Sequence, residues 1–167
     1  MKIVSFLEVK YLFQIGDYIV YPMHGAGVIE AIEEKEVLGE KQKYYVIKMP
    51  ISKMQVMIPT SKMTTSRIRL VVEKPVLEKV LNMFYDGEPD RSLNWKQRYN
   101  ANMEKLKTGK IQDGAEVVRD LICLNKEKAL NASEKQMLEN ARRIFISEVG
   151  LIRGISENQA NDLLNLG

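Results

Sequence analysis

Around Glu73-Lys74-Pro75 the recurrence of apolar residues changes from every second position to every third or fourth. No single element satisfies both periods, so the chain has to place a sheet ahead of a helical bundle. Before the change, β-rich runs lie at Asp17–Tyr21, Val28–Glu33, Lys43–Lys48, Met54–Pro59 and Arg67–Val71. Pro22 closes the first run. Gly25-Ala26-Gly27 reads as a turn, and Leu38-Gly39-Glu40-Lys41 as a hairpin connection with glycine free to take positive φ. Short strands at this spacing predict a small barrel or a strongly bent sheet. Such a fold leaves strand edges to be covered, charged or used.

After Pro75, which suits a first helical turn, Val76, Leu77, Val80, Leu81 and Phe84 keep helical spacing. A second helix is predicted from about Asn94 to Lys107, with Gly109 as its C-terminal cap. A third runs from Gln112 to Leu124. Ser133 with Gln136, and Ser156 with Gln159, have the spacing of capping boxes opening a fourth and a fifth. The predicted class is therefore α+β: a small β domain over residues 1–72, then a compact helical domain over residues 73–167. Residues 1–11 precede the first clear element.

Composition narrows the function. One cysteine, Cys123, sits in an apolar run, and one histidine, His24, sits far from it in a turn. The chain therefore has no intramolecular disulfide, no cysteine metal cluster and no adjacent thiol–base pair. No phosphate-binding glycine loop opens a helix. The expectation is a cytoplasmic protein without catalysis, cofactor, metal or membrane span.

The most uneven stretch is 91–110. It carries Arg91, Lys96, Arg98, Lys105, Lys107 and Lys110 against one acid, Glu104, and it holds the sole tryptophan, Trp95. Cations in such a face neutralise phosphates without reading sequence. An indole among them can stack on a base or enter a base step. The opposing reading is structural: lone tryptophans in small helical domains are mostly core, and charged faces are mostly solvated. These residues alone leave both open.

Several strings in order resemble the CarD family of bacterial transcription regulators: Phe13 to Gly25, Tyr44 to Ile47, Val56 to Pro59, Asn94 to Tyr99, Ala115 to Leu121, and Ser133 to Leu138. The resemblance spans about Phe13 to Gly150. It implies a Tudor-like, SH3-like β-barrel domain, shared with transcription-repair coupling factors, that binds the β subunit of RNA polymerase. On this chain the implied polymerase contacts are Lys35, Val37, Val56, Met57 and Ile58. It also implies a helical domain touching promoter DNA at the minor groove, largely without sequence preference, at the upstream edge of the bubble. The implied DNA contacts are Trp95, Arg91, Lys96, Arg98 and Lys135, with Trp95 as a wedge that stabilises the open complex. Relatives often carry arginine at the position of Met57 and basic residues at Gln97 and Asn100. A protein–protein adaptor without DNA contact is the alternative. A monomer is expected, and exposed strand edges leave a domain-swapped dimer open.

Overall fold

The computed structural model describes residues 12–50 and 52–164. The expectation for residues 1–11 lies outside them. Five strands come first: β1 Tyr18–Tyr21, β2 Gly25–Val37, β3 Glu40–Met49, β4 Met54–Pro59 and β5 Arg69–Leu70. Five helices follow: α1 Lys74–Asp86, α2 Trp95–Thr108, α3 Ile111–Glu127, α4 Ala132–Arg153 and α5 Glu157–Leu163. The class is α+β.

The sheet is antiparallel, in the order β4-β3-β2-β1-β5. Among the described residues its end strands do not pair with each other, and the sheet bends around one core as the expected small barrel, open at that seam. The bend has a local cause. The β2–β3 register slips between Ile29 and Ala31, leaving Glu30 as an extra residue, and such a bulge kinks and twists its strand. One face carries Phe13, Ile19, Ile29, Tyr45, Ile47, Met49 and Ile58 into a core. The Tyr45 hydroxyl accepts from Phe13 N at 3.0 Å and donates to Phe13 O at 3.1 Å, tying the first described residues to the sheet.

Two sequence expectations change here. Gly25-Ala26-Gly27 is not a turn but the start of β2; the turn is Pro22 to His24. The β2–β3 arm is also longer than the apolar runs suggested. Charged Glu33 to Glu36 pair with Tyr44 to Lys41, because backbone bonding continues where the side chains no longer need burial. Leu38 and Gly39, both at positive φ, close it as a two-residue turn.

The helical core gathers Leu77, Val80, Leu81 and Phe84 of α1, the apolar faces of α3 and α4, and Ala160 of α5. Phe84 and Phe145 meet at 5.7 Å. The fourth helix opens two residues earlier than the Ser133–Gln136 pattern implied. Asn131 is its cap, accepting from Glu134 N at 2.9 Å. The Ser156–Gln159 box forms as expected.

The two parts are joined through β5, the β1–β2 turn and α4. Arg69 reaches Glu148 with both terminal nitrogens at 2.7 Å and donates from Nε to Gly109 O at 2.8 Å. Glu148 is 2% exposed and also accepts from Val72 N. Ala26 N donates to Ser147 Oγ at 2.9 Å. Gly109 caps α2 at φ +70°, and a Cβ there would fall 2.7 Å from Pro22. Only glycine meets both the left-handed backbone and that approach.

Candidate functional site

Helix α2 begins abruptly. Asn94 Oδ1 accepts from Gln97 N at 3.0 Å, and Gln97 Oε1 accepts from Asn94 N at 3.1 Å, a reciprocal capping box. Trp95 is therefore the first helical residue, on a backbone held from both sides. It is not core: the residue is 46% exposed. Lys96 Nζ lies 5.8 Å from the ring centroid. Beside the indole runs an open groove of about 750 Å³, between the start of α2 and the α3–α4 connection. Leu93, Leu124 and Leu130 are among the residues lining it.

The cationic stretch is less free than its composition suggested. Arg91 pairs with Glu127 at 2.6 Å and Glu88 at 3.1 Å. Those partners raise its pKa, and Arg91 in turn holds the Glu127 carboxyl below the ordinary range. Arg98 binds Glu134 through two bonds of 2.6 and 2.9 Å, and Glu134 is 1% exposed. Hydrogen bonding to Glu134 raises the Arg98 pKa against the effect of burial. Lys105 reaches Glu116 at 2.9 Å, and Lys107 reaches Glu104 at 3.3 Å. Among the described residues, Lys96 and Lys110 of the six have no ion-pair partner, and neither has Lys135 of α4.

The reason is packing. Helix α2 offers a thin apolar edge, with Leu106 buried and Tyr99 and Met103 partly so. Charged pairs to α3 and α4 do much of the holding. Arg98, expected as a DNA contact, is a strut between α2 and α4. Sequence reasoning missed Glu116, Glu127 and Glu134 as its partners and those of its neighbours. Glu134 is 36 positions from Arg98, and no local pattern joins them. Lys128, on the groove's rim, was missed too. Cys123 is half-buried rather than sealed in the core, with Sγ 3.7 Å from Arg91.

The second set of residues lies on the sheet. Strand β4 pairs with β3 on one side and, among the described residues, is an edge on the other. Lys35 Nζ sits 3.3 Å from Met57 Sδ, so these two, 22 positions apart, share one patch on the outer face. Val37 is exposed beside the turn, and Leu38 at its tip is 99% exposed. Ile58 points the other way. It is buried in the sheet core opposite Tyr45, and Val56 packs against the same core. Ile58, expected as a partner contact, therefore has only backbone to offer. His24 lies against Tyr21, with ring centroids 4.2 Å apart, a structural place in the turn.

Known proteins match along nearly all of the chain. The family model described as the CarD-like/TRCF RID domain matches residues 13–72, and the CarD C-terminal domain model matches residues 79–165. The putative transcription factor YdeB of Bacillus subtilis is 64% identical over 148 residues, which are 89% of this chain and 97% of that protein. The solution NMR structure of the 72-residue N-terminal domain of Myxococcus xanthus CarD is 31% identical. The match covers 35% of this chain and 77% of that one, with a TM-score of 0.31, an overlap too slight to bear on the fold. With both models matched in order on the two parts of the structure, the chain belongs to the CarD family.

Proposed function

We propose that this protein is a non-catalytic transcription regulator that docks on RNA polymerase through its sheet and steadies the open promoter complex through Trp95. Family membership supports the general role, that of a CarD-like transcription factor with a polymerase-interaction domain. The docking half is residues 1–72 and the DNA half residues 73–167. For docking, β4 adds its free edge to a sheet of the polymerase β subunit, with main-chain bonds giving affinity. Lys35, Val37 and Met57 supply the side-chain selectivity. Docking holds the helical part near DNA at high effective concentration, so its own affinity need not be large. The protein works at the nucleoid, within the cytoplasm, and one copy carries both surfaces.

The observation that carries the DNA half is the half-exposed indole on the rigid first turn of α2. A ring that fills the gap at a fork favours separated strands over paired ones, and only such a difference shifts the equilibrium. Stacking worth about 1–3 kcal/mol per base shifts the balance toward the open state roughly fivefold to a hundredfold. Lys96 and Lys135 supply the phosphate contacts, Arg91 joining them when its acids release it. The test is open-complex lifetime on linear promoter DNA with the cognate polymerase. Trp95→Ala should shorten it about tenfold while leaving the melting temperature within about 2 °C, because surface substitutions rarely change stability by more than about 0.5 kcal/mol. An unchanged lifetime would refute the wedge.

The internal pairing of four of the six cations favours one rival reading, an adaptor whose Trp95 fills a partner protein's pocket. Salt separates them: phosphate contacts weaken steeply with it, and an apolar protein interface does not.

A further inference from the structure

We propose that the groove beside Trp95 is a pocket for one unpaired nucleotide, its base lying on the indole over an apolar floor and its phosphate meeting Lys128. This rests on the reading that Trp95 meets DNA, and goes beyond it: the indole is one wall of a receptacle, not a wedge acting alone. Its volume of about 750 Å³ falls within the range of small-molecule and cofactor pockets. Leu93, Leu124 and Leu130 make the floor apolar, which suits the flat face of any base.

The charges point the same way. The acids lining the groove are already engaged, Glu134 by Arg98 and Glu127 by Arg91, so its interior makes no demand for a cation. The rim cation Lys128 is exposed and has no ion-pair partner among the described residues, and Lys96 Nζ lies over the indole ring. A ligand that completes this site is flat and apolar at one end and anionic at the other. An apolar protein side chain would cover the floor and leave the ammonium groups unanswered. A nucleotide supplies both halves. The pocket is preformed, since Asn125 Oδ1 accepts from Leu130 N at 3.1 Å and fixes the connection that carries Lys128.

The experiment uses the full chain and fluorescence anisotropy with three labelled DNAs. These are a matched duplex, the same duplex with a short internal bubble, and that bubble with an abasic residue at each unpaired position in turn. The bubble should bind more tightly than the duplex, and one abasic position should lose about tenfold. Ala129→Trp, which fills the groove, should bring the bubble down to the abasic level and leave duplex binding as it was. Lys128→Gln should lower the salt slope for the bubble by about one. Equal affinity for intact and abasic bubbles, at every position, overturns the pocket, and that arm needs no variant to fold. If Trp95→Ala still weakens both bubbles, the wedge survives that failure. If Trp95→Ala changes neither, the DNA reading itself falls. Should Ala129→Trp spare every DNA and instead abolish polymerase capture, the groove seats protein and the proposal is wrong.

Discussion

Arg98 and Glu134 look on paper like one more surface cation and one more surface acid. Their geometry makes them the costliest pair in α2 to break. Removing Arg98 strands the Glu134 carboxylate, 1% exposed, where water cannot replace its partner, a loss of about 3 kcal/mol or more; Arg98 itself keeps some contact with water and loses less when Glu134 goes. Arg98→Met should therefore lower the unfolding free energy read from the urea transition by about that amount, and Glu134→Ala by about 1–3 kcal/mol. Replacing both with apolar residues, Arg98→Met with Glu134→Leu, should recover most of it. If Arg98 were instead a phosphate contact, the single change at Glu134 would leave stability nearly untouched. Arg91 is the opposite case, exposed and held by two exposed acids. Glu127→Gln should release it, tightening DNA binding and steepening its salt slope by up to about one. Acid does the same from the other side. Arg91 depresses the Glu127 pKa in the folded chain, so whatever this pair adds to stability is present above the ordinary glutamate range and fades as pH falls through the depressed value.

At the scale of elements, α2 and β4 are each attached on one side and open on the other. Helix α2 hangs on two ion pairs, a capping box and the glycine cap at Gly109, so the indole at its start has a fixed base without being buried. Among the described residues strand β4 has no partner for its outer backbone, and Lys35 and Met57 meet beside it. An acid at Met57 would draw the neighbouring ammonium to itself and put charge on an apolar contact. Met57→Asp should weaken pull-down of the polymerase β subunit about tenfold while leaving the sheet folded, since Met57 is only partly buried. Ile58→Asp should unfold it, because that side chain faces the core. The contrast between neighbours is the alternation of a strand, visible in the sequence once the strand is placed. Why the described strands leave the small barrel open between β4 and β5 was not visible there. That depends on the slip at Glu30 and on how short β5 is, and both are decided by pairing partners.

For the molecule as a whole, the joint decides whether the docking edge and the indole move as one. Glu148 accepts from Arg69 and Val72, and Arg69 also holds the carbonyl that ends α2. Glu148→Ala should cost about 3 kcal/mol and split a single thermal transition into two, read by calorimetry, as sheet and bundle lose their shared ion pair. A single transition of unchanged midpoint would show that the joint carries no coupling. From sequence alone came the order of sheet and helices, the box at Ser156, the glycine stop at Gly109 and the standing of Trp95 as the residue to watch. Each depends on a period or on neighbours within a few positions, so local sequence is enough to determine it. The tertiary structure alone decided that the indole is exposed, that Arg98 is a strut, that Lys35 meets Met57 and that Lys128 edges a groove. Those outcomes turn on which distant side chain arrives first at a given charge or face, and a Coulomb or packing contact carries no signature along the chain.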